Sequence, residues 1–220
     1  MNGKSLLMLA GWMICMLVPA GAGEWRCFND DFKKFIPVTR AVTHHDLQDK
    51  LSPEVDQDGK LAWIARPANV TCTIKLIGVH NNRKLYEVSW MKPDPTDLPK
   101  PAHQRPYNEV MLAMEDKQGI RPFFWFTSGD MLIASHTRFQ SSKVHPFMLV
   151  LSMEWDGHGL NHSDFSFLFD NDGPWLLETS EGSHRSGIEN RKYNRQGKVI
   201  HKESLSREDL IRNTSADGEK

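Results

Sequence analysis

The densest run of chemistry-bearing side chains is Glu154-Trp155-Asp156-Gly157-His158-Gly159-Leu160-Asn161-His162-Ser163-Asp164. Imidazole nitrogens and carboxylate oxygens are ligands that zinc and similar metals accept, so His158, His162 and Asp164 are weak metal candidates. His158 and His162 flank Gly159 and Asn161, so the pair does not share one helical face as an HExxH site requires. The plainer account is a solvated loop between two strands, with histidines that hydrogen-bond locally. Cleavage of a glycosidic bond needs two carboxylates roughly 5 to 10 Å apart. A hydrolase or lyase would draw on Glu154, Asp156, His158 and Glu178, with Asp164 near in sequence. Most carboxylates on strands simply face water. GxSxG, GxGxxG and P-loop signatures are absent, and no cofactor is implied.

Aromatic residues offer a second kind of chemistry. Trp and Tyr combine a flat apolar surface with a polar edge, and on an exposed sheet they stack on sugar rings. Trp125, Trp155 and Trp175 fall in expected strands and are the candidate ligand-binding residues. In Phe123-Phe124-Trp125-Phe126 both faces are aromatic, which equally describes a central strand buried on both sides. Asp170-Asn171-Asp172-Gly173 and Asp56-Gln57-Asp58-Gly59 resemble calcium loops only superficially. Thr179 or Ala65 stands where the bidentate Glu belongs, so both read as turns.

The elements that must position these groups are strands. From Ile120 to Ser180, Phe, Trp, Leu, Met and Val alternate with polar residues at a period of two, in short runs separated by turn signals. Val70–Val79 and Lys84–Met91 make a further pair around His80-Asn81-Asn82-Arg83. Phe165, Phe167 and Phe169 can face Trp175, Leu177 and Thr179 across Asp170–Gly173. Lys192–His201 reads as a small hairpin around Asn194–Gly197. Two short helices are expected, N-capped by Thr43 with Asp46 and by Ser206 with Asp209. Strand–helix alternation is missing. The fold expected is therefore all-β and mainly antiparallel, a sandwich or barrel with two short helices.

The chain has 220 residues, 25% charged and 39% hydrophobic, with a formal net charge of −1. That balance argues against a duplex nucleic-acid binder, which carries a basic excess to neutralise phosphates. Lys4, the apolar run Leu6–Val18 and Ala20-Gly21-Ala22 are the parts of a secretory signal peptide, expected over 1–22. The alternative is an uncleaved anchor. The expected localisation is secreted or periplasmic, with membrane contact only through that leader. Of the three cysteines, Cys27 and Cys72 would remain, and an oxidising compartment favours a disulfide between them over two free thiols. One β-rich domain is expected over 23–212, with a Pro-rich connection at 92–106 and a disordered tail at 213–220. The function expected is non-catalytic binding of an unidentified ligand, a glycan being the candidate, or an envelope-associated role. The alternatives are the carbohydrate-active enzyme above and a structural protein without a small-molecule site.

Overall fold

The computed structural model describes residues 25–92, 107–127, 131–140, 145, 147–156, 160–171, 173–183 and 187–209, with backbone alone at 92, 107–108, 131–134, 155–156 and 160. The expected leader, the Pro-rich connection apart from its first residue, His158 and the expected tail lie outside the described residues. Among the described residues no helix is long and apolar enough to cross a membrane.

Among the described residues fourteen strands form two six-stranded sheets and one hairpin. The first sheet runs β2 (Lys34–Pro37), β1 (Arg26–Asn29), β8 (Gly119–Phe126), β7 (Tyr107–Asp116), β6 (Arg83–Lys92), β5 (Thr71–His80). The second is an uninterrupted meander of β9 (Met131–Gln140), β10 (Met148–Asp156), β11 (Leu160–Phe169), β12 (Pro174–Ser183), β13 (Gly187–Tyr193) and β14 (Val199–Leu205). Every pairing is antiparallel except β1 with β8. The all-β, sandwich-like expectation is met.

Alternation explains why the sheets stack. Leu112, Phe124 and Phe126 from the first sheet meet Leu149, Leu151, Phe165 and Phe167 from the second in one buried cluster. The first sheet is covered on its other face as well. There Val88, Trp90, Met111 and Trp125 pack under α1 (His44–Asp49) and the hairpin β3 (Leu51–Val55)–β4 (Leu61–Ala65), through Leu47 and Leu61. Thr43 caps α1 as expected, its side chain taking the Asp46 amide while Asp46 takes the Thr43 amide. Ser206 and Asp209 repeat the motif before a helical turn at 207–209.

Two glycines seal the lateral sides where an aromatic ring crosses between sheets. A Cβ on Gly78 would come within 2.5 Å of the Phe139 ring, and one on Gly197 within 2.5 Å of Phe35. Gly197 also holds φ +76, which glycine adopts without strain.

Several expectations need correction. The polar run 154–164 is not a loop: β10 extends to Asp156 and β11 begins at Leu160. The Asn194–Gly197 turn is present, but its strands reach back to Gly187 and on to Leu205. Phe165 does face Thr179, yet a bulge at Ser166/Phe167 sets Phe167 opposite Leu176 and Phe169 opposite Pro174.

The disulfide is also overturned. Cys27 and Cys72 are both free thiols. They sit on β1 and β5, with β8, β7 and β6 between. Four strand spacings amount to about 19 Å, whereas bridged Cα atoms lie within about 7 Å. Burial pushes the Cys27 thiol well above its ordinary range and carries Cys72 up to about 11, so neither is readily ionised. Alkylation of unfolded, unreduced protein followed by peptide mapping is expected to label both residues fully. A Cys27–Cys72 linked peptide would refute the strand order.

Candidate functional site

The inner face of the second sheet changes character along its strands. Cross-strand register builds one row of Met153, Ser163, Glu181, Glu189 and Ser204, and beside it a row of Leu151, Phe165, Thr179, Arg191 and Lys202. On β10 and β11 these positions are mostly apolar and pack in the core. On β12 to β14 the same phase carries charge. This polar region faces the β1–β2 turn at one end of the sandwich.

The turn itself is built by side-chain chemistry. Asn29 Oδ1 accepts the Phe32 amide at 3.0 Å, the Lys33 amide donates to the Asp30 carbonyl at 3.2 Å, and Lys33 takes φ 50. Lys33 is thereby aimed from the turn toward the second sheet, with 34% of its side chain still exposed. Its Nζ contacts Asp30 Oδ1 at 2.7 Å and Glu181 Oε2 at 2.8 Å, tying residues 148 apart in sequence. Next to it, Glu189 receives Arg191 and Lys202, the latter at 2.7 Å.

Charge and burial compete here. Burial raises the Asp30 pKa, and the attraction of Lys33 only partly offsets it. Burial opposes the Lys33 charge too, but Asp30 and Glu181 outweigh it and raise that pKa. The Lys202 hydrogen bond leads the effects that lower the Glu189 pKa. Within this region the side-chain oxygens Ser163 Oγ, Thr179 Oγ1 and Glu181 Oε1 are buried and have no hydrogen-bond partner. Ser163 stands directly opposite Glu181, and Thr179 shares its face two residues earlier. A buried, unsatisfied polar atom costs about 1–3 kcal/mol. Three gathered on one inward face concentrate that cost at this end of the core. Phe28, Phe165 and Tyr193 pack beside them, with Phe28 5.9 Å from Tyr193 and 6.4 Å from Phe165.

The sequence-derived candidates lie elsewhere. On the outer face of the second sheet Glu154 pairs with His162 and Ser152 with Asp164. Asp164 accepts from Ser152 Oγ at 2.5 Å and lies 3.3 Å from His162 Nε2, and Arg138 donates to Ser152 at 2.9 Å. The carboxylate is thus the hub between hydroxyl and imidazole. Nucleophile activation needs imidazole in that middle position, touching the hydroxyl. Glu178 is not brought near Glu154. It pairs with Ser166, four residues along β11 from His162, about 13 Å along the strands and about 10 Å across them. The bulge also puts Glu178 and Trp175 on one face, not opposite faces as alternation suggests.

Trp125 is 3% exposed under the β3–β4 hairpin side, so it is a core residue and offers no surface to a ligand. Trp175 is half-buried on the outer face. The side chains of Trp155 and Asp156 and all of His158 lie outside the described residues. Among the described residues no three His, Cys, Asp or Glu side chains are grouped to hold a metal, which leaves His162 and Asp164 as an ion pair on the surface.

The Asp30–Lys33–Glu181 site was missed by sequence reasoning. One signal for it exists: Thr179, Glu181, Glu189 and Arg191 fall on the buried phase of their strands, where apolar residues belong. Reading it requires knowing that β13 and β14 are strands. Comparison with protein-family models, curated proteins and solved structures gives no significant match.

Replacing Lys33 by Met leaves two carboxylates facing each other without their shared cation. Urea unfolding is expected to show a loss of about 2 kcal/mol, and a neutral result would mean the bridge is not formed in solution. Asp30 binds its proton more tightly folded than unfolded. The stability it contributes is complete below its unfolded pKa and is lost as pH rises through the raised folded value. The stability of wild type relative to Asp30→Asn is therefore expected to decline as pH rises through that window. A rise would mean that Lys33 outweighs burial.

Proposed function

We propose that this protein is a non-catalytic binding protein, exported by the leader read at 1–22, and that it takes a small hydroxylated ligand of the carbohydrate type at the partly exposed charged corner of Lys33, Glu181, Glu189 and Arg191. One observation carries the reading: these four side chains of both signs stand together at one end of the sandwich, each still open to solvent. Hydroxyl groups both donate and accept, so a polyol can meet carboxylate and cation at once. The outer-face groups support catalysis less well, because Glu154 and Glu178 are too far apart to act across one bond. Asp164, not His162, contacts Ser152.

A monosaccharide panel titrated into isotopically labelled protein tests this. Amide shifts are expected at Lys33, Glu181 and Arg191 at millimolar sugar. Arg191→Gln, confirmed folded by its thermal transition, is expected to weaken binding several-fold. Shifts confined to the outer face around Glu154 and His162 would move the site there. No shift at tens of millimolar of any sugar would remove the carbohydrate reading.

A further inference from the structure

The binding corner makes no use of Asn-X-Ser/Thr, the acceptor pattern for N-linked glycans in exported proteins. The chain carries that pattern at Asn69-Val70-Thr71, Asn161-His162-Ser163 and Asn213-Thr214-Ser215. The last lies outside the described residues. Glycan transfer takes place on the emerging chain, before it folds. The fold then decides which modified chains can still close.

The other two positions differ in that respect. Asn69 sits in a turn at 67–70, closed by the Val70 amide donating to the Pro67 carbonyl at 3.0 Å. Val70 is buried in the cluster that packs under α1. Anchored there, it leaves Asn69 and Thr71 exposed on either side. A glycan on Asn69 extends into water and displaces no core residue. Asn161 lies on β11 between two strands, opposite Trp155 of β10 and Ser183 of β12. Alternation puts it on the same face as Ser163 and Phe165, which are both fully buried. A glycan there would start from the face that packs against the first sheet.

We propose that Asn69 is an N-glycosylation site and that Asn161 stays unmodified in the folded protein. The assignment rests on the export reading above, because the glycan donor is met outside the cytosol. Asn69 Nδ2 bonds to the anomeric carbon of an oligosaccharide carried on a lipid pyrophosphate. The anomeric carbon–oxygen bond breaks, the lipid pyrophosphate leaves, and the amide gives up one proton. The turn leads into β5, the outermost strand of the first sheet among the described residues. A glycan at that point also screens the start of the edge from pairing with other chains.

The test is peptide mapping of the folded protein recovered from the cells that naturally make it. Peptide N-glycosidase in heavy-oxygen water turns a glycan-bearing Asn into isotope-labelled Asp. Label is expected at Asn69 and not at Asn161. Thr71→Val removes the hydroxyl that the pattern requires, at an exposed position, and is expected to abolish the label while the protein is still exported. Thr71→Ser keeps the hydroxyl and is expected to keep the label. Exported protein, free of its leader and unlabelled at Asn69, overturns the glycan assignment and leaves export standing. Label at Asn161 in folded protein overturns the argument from its face. Label that survives Thr71→Val overturns the role given to the motif. A chain held in the cytosol with its leader attached overturns the export reading, and the assignment with it.

Discussion

The stack of phenylalanine rings between the sheets is the constraint on which the structure depends. Phe124 lies 4.6 Å from Phe165 and 5.6 Å from Phe167, and Phe123 meets Phe167 edge-on at 5.2 Å. Each buried ring contributes roughly 1.5–3 kcal/mol of transfer free energy, and the tilted and edge-on contacts add specificity of angle. Rings of that size also fix the separation of the sheets. Further along the same rows the smaller Ser163, Thr179 and Glu181 take over from the rings, and their side-chain oxygens are still buried.

The asymmetry between the two sheets follows from the same arithmetic. The first sheet is buried on both faces, so its strands carry apolar residues in succession, as in Phe123-Phe124-Trp125-Phe126. The second has one wet face, where Glu154, His162 and Arg138 stand in water and pair locally. Ion pairs on such a face are typically worth about 0–1 kcal/mol. Side chains there are dense in chemistry but not constrained by packing, which makes them poor anchors for a precisely held ligand. Lys33, held by carboxylates from both sheets, is far more constrained.

What the sequence made legible follows from how each residue is buried. Strands of the middle third were readable because burial on at least one face forces a period of two. Both helix starts were readable from a cap and an acid three residues on, since that motif is local and independent of packing. Of the strands from 187 to 205 only the hairpin end at 192–201 was readable, because β14 is exposed on both faces and β13 mixes charges into its inward phase. The same mixing concealed the polar site. The supposed loop at 154–164 misled for a related reason: polar residues on both faces of an edge-on stretch look like a turn when no apolar partner marks the phase. Trp125 misled differently, because one strand's aromatic content does not reveal that a helix and hairpin cover its far side. The cysteine pair shows the limit of counting. Parity and compartment favoured a bridge, but connectivity is a three-dimensional fact, and three strands stand between the thiols.

The two polar regions differ most in what their unsatisfied atoms imply. On the outer face an atom without a protein partner has water, at almost no cost. At the inner corner Ser163 is fully buried and Thr179 nearly so, and an unpartnered hydroxyl there weakens the fold. Replacing such residues by Ala and Val would cost the core nothing in volume and would relieve the penalty. A chain that packs Phe165 to full burial one pleat away had apolar solutions within reach at these positions. The retained hydroxyls and the half-used Glu181 carboxylate are therefore held at some expense to stability. Polar groups thus carry a cost at the end where Lys33 joins the turn to the second sheet, and almost none on the histidine-bearing outer face.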